Sequence, residues 1–148
     1  MPSAYLSLHY HLVFSTKNRA PNIDLSWRSR LHDYLGGAIR GLDGYPQGVG
    51  GVADHVHLLI GLKATHSLAD TVRDLKKGST KWIRREVGIR GFAWQEGYSA
   101  FTVSATARDS VKRYIAKQEK HHRVKTFREE LIAMLAKAGV EYDPDYLD

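Results

Sequence analysis

Strict alternation opens the chain. Leu6, Leu8, Tyr10, Leu12 and Phe14 interleave with Ser7, His9 and His11, which predicts a first strand with one buried face. From about Leu25 the spacing changes to that of a helix, with Trp27, Leu31, Leu35, Ile39 and Leu42 as its apolar stripe and Gly44 near its end. Tyr45 to Gly51 is glycine-rich and contains Pro46, so it reads as a short or irregular strand. The chain turns near Ala53-Asp54 into a strand that begins at the histidines and ends around Leu62. Ser67 with Asp70 opens a second helix running to Val87, its core face made of Leu68, Val72, Leu75, Trp82 and Val87. Gly78-Ser79 in its middle predicts a bend or a close approach by a neighbour.

Phe101 to Ser104 reads as a further strand. A helix over Thr106 to His122 follows, with Thr106 as N-cap and Asp109 three residues on. Thr126-Phe127-Arg128-Glu129 is a capping box opening a last helix, with Leu131, Leu135 and Ala138 inward and Gly139 as its stop. Connections are short and no repeat or linker interrupts them. The order predicts an α+β domain with helices packed on a mainly antiparallel sheet.

The 148 residues are expected to form one domain, spanning 1–148, that buries roughly two-thirds of its surface on folding. No cysteine is present, which excludes disulfides and thiolate metal sites and suits a cytoplasmic location. No apolar run is long enough for a membrane span, so no membrane partner is expected.

Net charge of +6 points to a polyanionic partner, and its distribution sharpens this. Between Arg73 and Arg90, the bases Arg73, Lys76, Lys77, Lys81, Arg84, Arg85 and Arg90 outweigh Asp74 and Glu86. Lys112, Arg113, Lys117 and Lys120 stand on the Thr106–His122 helix, and the tail from Glu129 is acidic apart from Lys137. Lys76, Lys77, Lys81, Arg84, Arg85, Lys112, Arg113 and Lys117 are therefore candidate nucleic-acid contacts.

On a strand, His55 and His57 point to the same side while Val56, Leu58 and Ile60 point to the other. Two imidazoles on a rigid strand make half of a metal site; they also fit a solvated strand face. Val111, Tyr114, Ile115 and Gln118 fall at i, i+3, i+4 and i+7, so an amide sits where an apolar residue would continue the stripe. A Tyr–Gln hydrogen bond one turn apart is the plain reading of that pair.

Taken together, these residues resemble the HUH single-tyrosine transposases of small bacterial insertion sequences and the REP-associated tyrosine transposases. The resemblance runs from about Tyr5 to Gln118. It rests on the opening strand Tyr10 to Lys17, the segment Asp54-His55-Val56-His57-Leu58-Leu59, Trp94-Gln95-Glu96-Gly97-Tyr98, and Tyr114 with Gln118. It implies a ferredoxin-like or RNA-recognition-like topology, with a catalytic core at about 5–122 and a C-terminal helix and acidic tail at 123–148. Tyr114 would be the nucleophile that forms a 5′-phosphotyrosine with single-stranded DNA, and His55, His57 and Gln118 would hold Mg²⁺ or Mn²⁺. The resemblance further implies hairpin-bearing DNA as substrate, a homodimer that can share its sites between subunits, nucleoid-associated DNA as the place of action, and no nucleotide cofactor.

His9, His11 and Asp54 remain rival or auxiliary site residues, with His11 expected to face DNA. Tyr98, Phe101 and Trp94 are divided between base stacking and core packing, with Trp94 expected in the core. Two other classes stay in view. One is an inactive or domesticated hairpin-binding relative, against which the presence of all four site residues counts. The other is a His-x-His hydrolase on a (β/α)₈ barrel, for which a fold of about 250 residues is needed.

Overall fold

A computed structural model describes residues 4–147. The expected domain of 1–148 includes residues 1–3 and 148, which lie outside the described residues. The sheet contains β1 (His9–Ser15), β2 (Tyr45–Gly51), β3 (His55–Gly61) and β4 (Ser99–Thr102) in the order β2-β3-β1-β4, each neighbour antiparallel. Helix α1 (Leu25–Gly41) joins β1 to β2, and α2 (Leu68–Trp82) joins β3 to β4. This is the ferredoxin-like βαββαβ arrangement. Three further helices follow: α3 (Arg108–Ala116), α4 (Gln118–His121) and α5 (Phe127–Ala138).

The two-residue period of the strands divides the chain into two cores. Leu12, Phe14, Val56, Leu58 and Ile60 face α1 and α2, where Leu31, Leu35, Ile39, Val72 and Leu75 meet them. The other face carries His11, Val13, His55, His57 and Leu59. Here α3 covers Leu59 through Ile115, while α5 covers Val13 through Phe127, Leu131 and Leu135. The result is three layers, and the histidines lie between the sheet and the C-terminal helices.

Glycines in β2 explain how α3 comes so close. Gly50 is paired with His57 and Gly48 with Leu59, so both stand on the histidine face. A Cβ on Gly50 would lie 2.4 Å from the carbonyl oxygen of Ile115, backbone against backbone. The irregular strand expected from Pro46 is seen as a bulge between Pro46 and Gly48. Gly78 likewise gives close approach rather than a bend, since a Cβ there would meet the Tyr34 hydroxyl at 2.8 Å.

Several boundaries differ from expectation. The first strand starts at His9, and Leu6 is exposed, because the neighbouring strands offer partners only from His9 and Tyr10 onward. The last strand is Ser99–Thr102 rather than Phe101 to Ser104 for the same reason of register. The single helix expected over Thr106 to His122 is two: Lys117 leaves helical geometry at φ −102°, ψ 21°, and Thr106 lies in a short 3-10 turn rather than at an N-cap. Helix α2 continues to Val87 as a π turn, closed by Gly88 at φ 89°. The capping box and Gly139 stop of α5 form as read, although Ala138 is exposed. No helix among the described residues is long and apolar enough to cross a membrane.

Candidate active site

His55 and His57 are fully buried on β3, with their rings 5.0 Å apart. Each imidazole is oriented by its second nitrogen. His55 Nδ1 is 2.7 Å from the Asp54 carboxylate, and His57 Nδ1 is 2.8 Å from His11 Nε2. That leaves both Nε2 atoms aimed into one space beneath α3 to α5. His11 is therefore turned inward, 7 % exposed, and does not face DNA as expected. It sits diagonally across from His57 on the neighbouring strand, where β1 is flanked by β3 and β4.

Gln118 enters that space from α4. Its Oε1 lies 3.2 Å from His55 Nε2 and 3.0 Å from His122 Nε2. Tyr114 approaches from α3, its ring edge-on to His57 at 5.8 Å between centroids. One chain thus brings His55, His57, Tyr114 and Gln118 together without a second subunit.

Two residues that the sequence reading left out complete the cluster. Glu130, 2 % exposed on α5, accepts from His57 Nε2 at 3.0 Å, His122 Nε2 at 3.1 Å and Gln118 Nε2 at 3.2 Å. It also accepts from the Tyr114 hydroxyl, and His55 Nε2 is 3.4 Å away. One donor atom from each of His55, His57, His122 and Glu130 lies within 4.8 Å of all the others. The signal for Glu130 was present: Phe127, Glu130, Leu131 and Leu135 share the buried stripe of α5, so a carboxylate occupies an apolar position. His122 stands at i+4 from Gln118, the same signal on the neighbouring turn.

Electrostatics follow from this crowding. Burial pushes the Glu130 carboxyl up, but hydrogen bonds from His122, His55 and His57 outweigh it and hold the group well below the usual carboxylate range. Burial lowers His57 to about 4 despite its bond to Glu130, and lowers His11 to about 3. His55 is also penalised by burial, yet Asp54 and Glu130 together raise it. Burial raises the Tyr114 phenol, and its bond to Glu130 raises it further.

Of the candidate DNA contacts, Lys112, Arg113 and Lys117 are exposed on α3 and at its end. Lys76 donates to the carbonyls of Gln95 (2.8 Å) and Gly97, and Arg84 donates to that of Phe92 (2.9 Å). Lys77, Lys81 and Arg85 are exposed, but α2 lies on the sheet face opposite the histidines, so the two basic helices do not flank one site. Trp94 is buried, its Nε1 donating to Ser79 at 2.9 Å, while Tyr98 is 41 % exposed and Phe101 packs beside Val13.

The chain matches the family described as Transposase IS200 like over residues 4–118, and it belongs to that family. A solved structure of a candidate transposase from Deinococcus radiodurans R1 is similar, at 26% identity and TM-score 0.65 over 80% of this chain and 95% of that one. A REP-associated tyrosine transposase bound to a REP hairpin shares the fold at 15% identity and TM-score 0.60, over 100% of this chain and 90% of that one. Among curated protein sequences, none matches significantly. The family match ends at Gln118, so His121, His122 and Glu130 lie beyond it.

Proposed function

We propose that this transposase cuts and rejoins single-stranded DNA through a 5′-phosphotyrosine on Tyr114. The observation that carries the reading is the convergence of the Tyr114 hydroxyl, the Gln118 amide and both β3 imidazoles on one buried point. Tyr114 Oη would form a bond to phosphorus as the P–O3′ bond breaks, so that the phosphodiester energy is stored on the enzyme. The phenolic proton would pass to water, because Glu130, held well below the usual carboxylate range, keeps its charge and its place among the ligands. The departing 3′ oxygen takes its proton from water. Reversal with a different 3′ hydroxyl rejoins the strand, which requires no nucleotide cofactor.

The donors suit a divalent cation: three neutral-capable imidazoles, one carboxylate and an amide oxygen face the same space. His55, His57, His122 and Glu130 would hold it, with Gln118 supplying an oxygen. Three nitrogen donors favour Mn²⁺ over Mg²⁺, which prefers oxygen ligands and keeps much of its water. When bound, such an ion polarises the non-bridging phosphate oxygens and stabilises the leaving oxygen. His11 and Asp54 keep the ligand nitrogens of His57 and His55 aimed inward.

Hairpin-bearing single strands remain the proposed substrate, with nucleoid DNA in the cytoplasm as the place of action and a homodimer as the proposed assembly. Exposed Tyr5, Leu6 and Tyr45 support a second copy as partner. The site itself is assembled within one chain, so catalysis in cis is the arrangement we favour. The test is incubation with labelled single-stranded DNA and Mn²⁺, followed by denaturing electrophoresis. A protein–DNA adduct is expected. Its absence with every divalent ion tried would instead favour the inactive hairpin-binding relative.

A further inference from the structure

Beside the catalytic cluster, the outer strand β2 has no strand partner on one side among the described residues. Helix α1 packs on one of its faces, and α3 with α4 packs on the other. Along this free edge run two adjoining hollows of about 680 and 550 Å³. They share Leu25, Arg28, Glu119 and Arg123 in their walls, so they form one continuous groove. One end reaches Asp54, His122 and Phe127 at the rim of the catalytic cluster, and the other lies over Val49, Gly50 and Gly51.

Charge in the groove is one-sided. Arg28, Lys117, Lys120, Arg123 and Lys125 line it against only Asp54 and Glu119 among acids. Asp54 is already engaged by His55. Glu119 is the exception that matters, because its carboxylate reaches from α4 to Arg28 on α1 at 3.3 Å and so spans the groove. Arg28 itself is anchored by two donations to the Ile23 carbonyl, at 3.2 and 2.9 Å, whereas Glu119 is 60% exposed on its side chain. Arg28 is only 13% exposed on its side chain, so Glu119 is the solvent-facing partner that can swing away and leave an anchored guanidinium to another anion.

We propose that this groove carries the backbone of the single strand leading to the catalytic pocket, and that an entering phosphate replaces Glu119 on Arg28. The proposal rests on the single-strand reading above. Guanidinium and ammonium groups on both walls suit successive phosphates, and the glycine-rich edge of β2 leaves room for a backbone to lie close. The rings of Phe127 and His122 in its walls are packed against His55, and His32 is half-buried, so no freely exposed ring offers a stacking platform and the groove holds phosphates rather than bases. Its contribution should be independent of sequence.

The experiment uses the full chain carrying Tyr114→Phe, to prevent turnover, and a labelled oligothymidylate without any hairpin. Affinity is measured by fluorescence anisotropy across a salt series. Lys120→Glu with Arg123→Glu should weaken binding on the order of tenfold and lower the slope of log affinity against log salt by about two. Glu119→Gln should tighten binding severalfold, a sign that general damage to the fold does not produce. Lys77→Glu with Arg85→Glu, on the opposite layer, should change little. Unchanged affinity and slope in the Lys120/Arg123 variant, or a loss confined to the Lys77/Arg85 variant, would overturn the groove while leaving the transposase reading intact. A Tyr114→Phe protein that binds no single strand at any salt would overturn both.

Discussion

The hydroxyl of Tyr114 donates to the carboxylate of Glu130, which ties the proposed nucleophile, inside the family-matched segment, to a helix outside it. Glu130 also receives His57, His122 and Gln118, so its charge is the hub on which the site closes. Glu130→Gln keeps the size and removes the charge. It should lower Mn²⁺ affinity at least about tenfold, since an anionic oxygen ligand becomes a weak neutral one. Adduct formation should fall with it. Free Mn²⁺ measured by electron paramagnetic resonance checks the first effect, and unchanged affinity would remove Glu130 from the ligand set.

Tyr114→Phe removes only the phenolic oxygen and keeps the ring that packs edge-on to His57. Cleavage and the covalent adduct should vanish, and hairpin binding should stay near the wild-type level. A denaturation-resistant complex in this variant would sink the assignment of the nucleophile.

Ligand variants should grade by donor type. His57→Ala should abolish strand cleavage, because it deletes a buried nitrogen that faces the cluster. Gln118→Ala should be intermediate, as water can replace an amide oxygen more readily than an imidazole. His66→Ala should leave cleavage unchanged, since that ring bridges Lys63 N–H and the Leu42 carbonyl away from the site. Cleavage at the wild-type rate in excess chelator would contradict metal dependence altogether.

Much of this was legible because period-2 and period-3.6 patterns report faces. They put His55 with His57 on one strand face, Tyr114 with Gln118 on one helix face, and the core residues of α1 and α2 inward, while the roles proposed for the four came from the family resemblance. What the patterns hid was partnership across layers. Nothing local to α2 says that Lys76 and Arg84 are consumed by carbonyls of the chain before β4, or that α2 covers the face opposite the histidines. His11 alternates with core residues and so reads as outward, yet a second layer covers that face too. Glu130 was visible as a charge in the apolar stripe of α5, but its value depends on α5 folding back over His55 through Phe127, at 4.4 Å between rings.

Gly50 offers a test of how the tyrosine helix is seated. Its absent side chain lets the Ile115 carbonyl come close enough that a Cβ would meet it at 2.4 Å. Backbone cannot yield as a flexible side chain can. Gly50→Ala should therefore displace α3, lowering stability by about 1–3 kcal/mol. Tyr114 and Gln118 should move with it, so adduct formation should drop far more than DNA binding does. Urea unfolding and the adduct assay on one preparation separate these effects, and a fully active variant would show that α3 does not need this seat.

Acid sensitivity should follow from the same cluster. His57 and His11 are held neutral, at about 4 and about 3, against an ordinary value of 6.5 in the unfolded chain. Between pH 6.5 and 4 the unfolded state therefore binds protons that the folded state refuses, and stability must fall as pH falls. Each such histidine contributes at most about 1.4 kcal/mol per pH unit across that window. His55 acts in the opposite sense, since its raised value adds stability that is complete below 6.5 and lost as pH rises through its folded value. It thus adds a loss on the alkaline side and does not oppose the loss on the acid side. Glu130, held low, adds a further loss once pH drops below the ordinary carboxylate range. The thermal midpoint of the metal-free protein should decline between pH 7 and pH 5, on the order of 10 °C. His11→Phe should decline less steeply, because one of the two refusing groups is gone. Equal midpoints at both pH values in the parent protein would mean that these imidazoles are hydrated rather than enclosed.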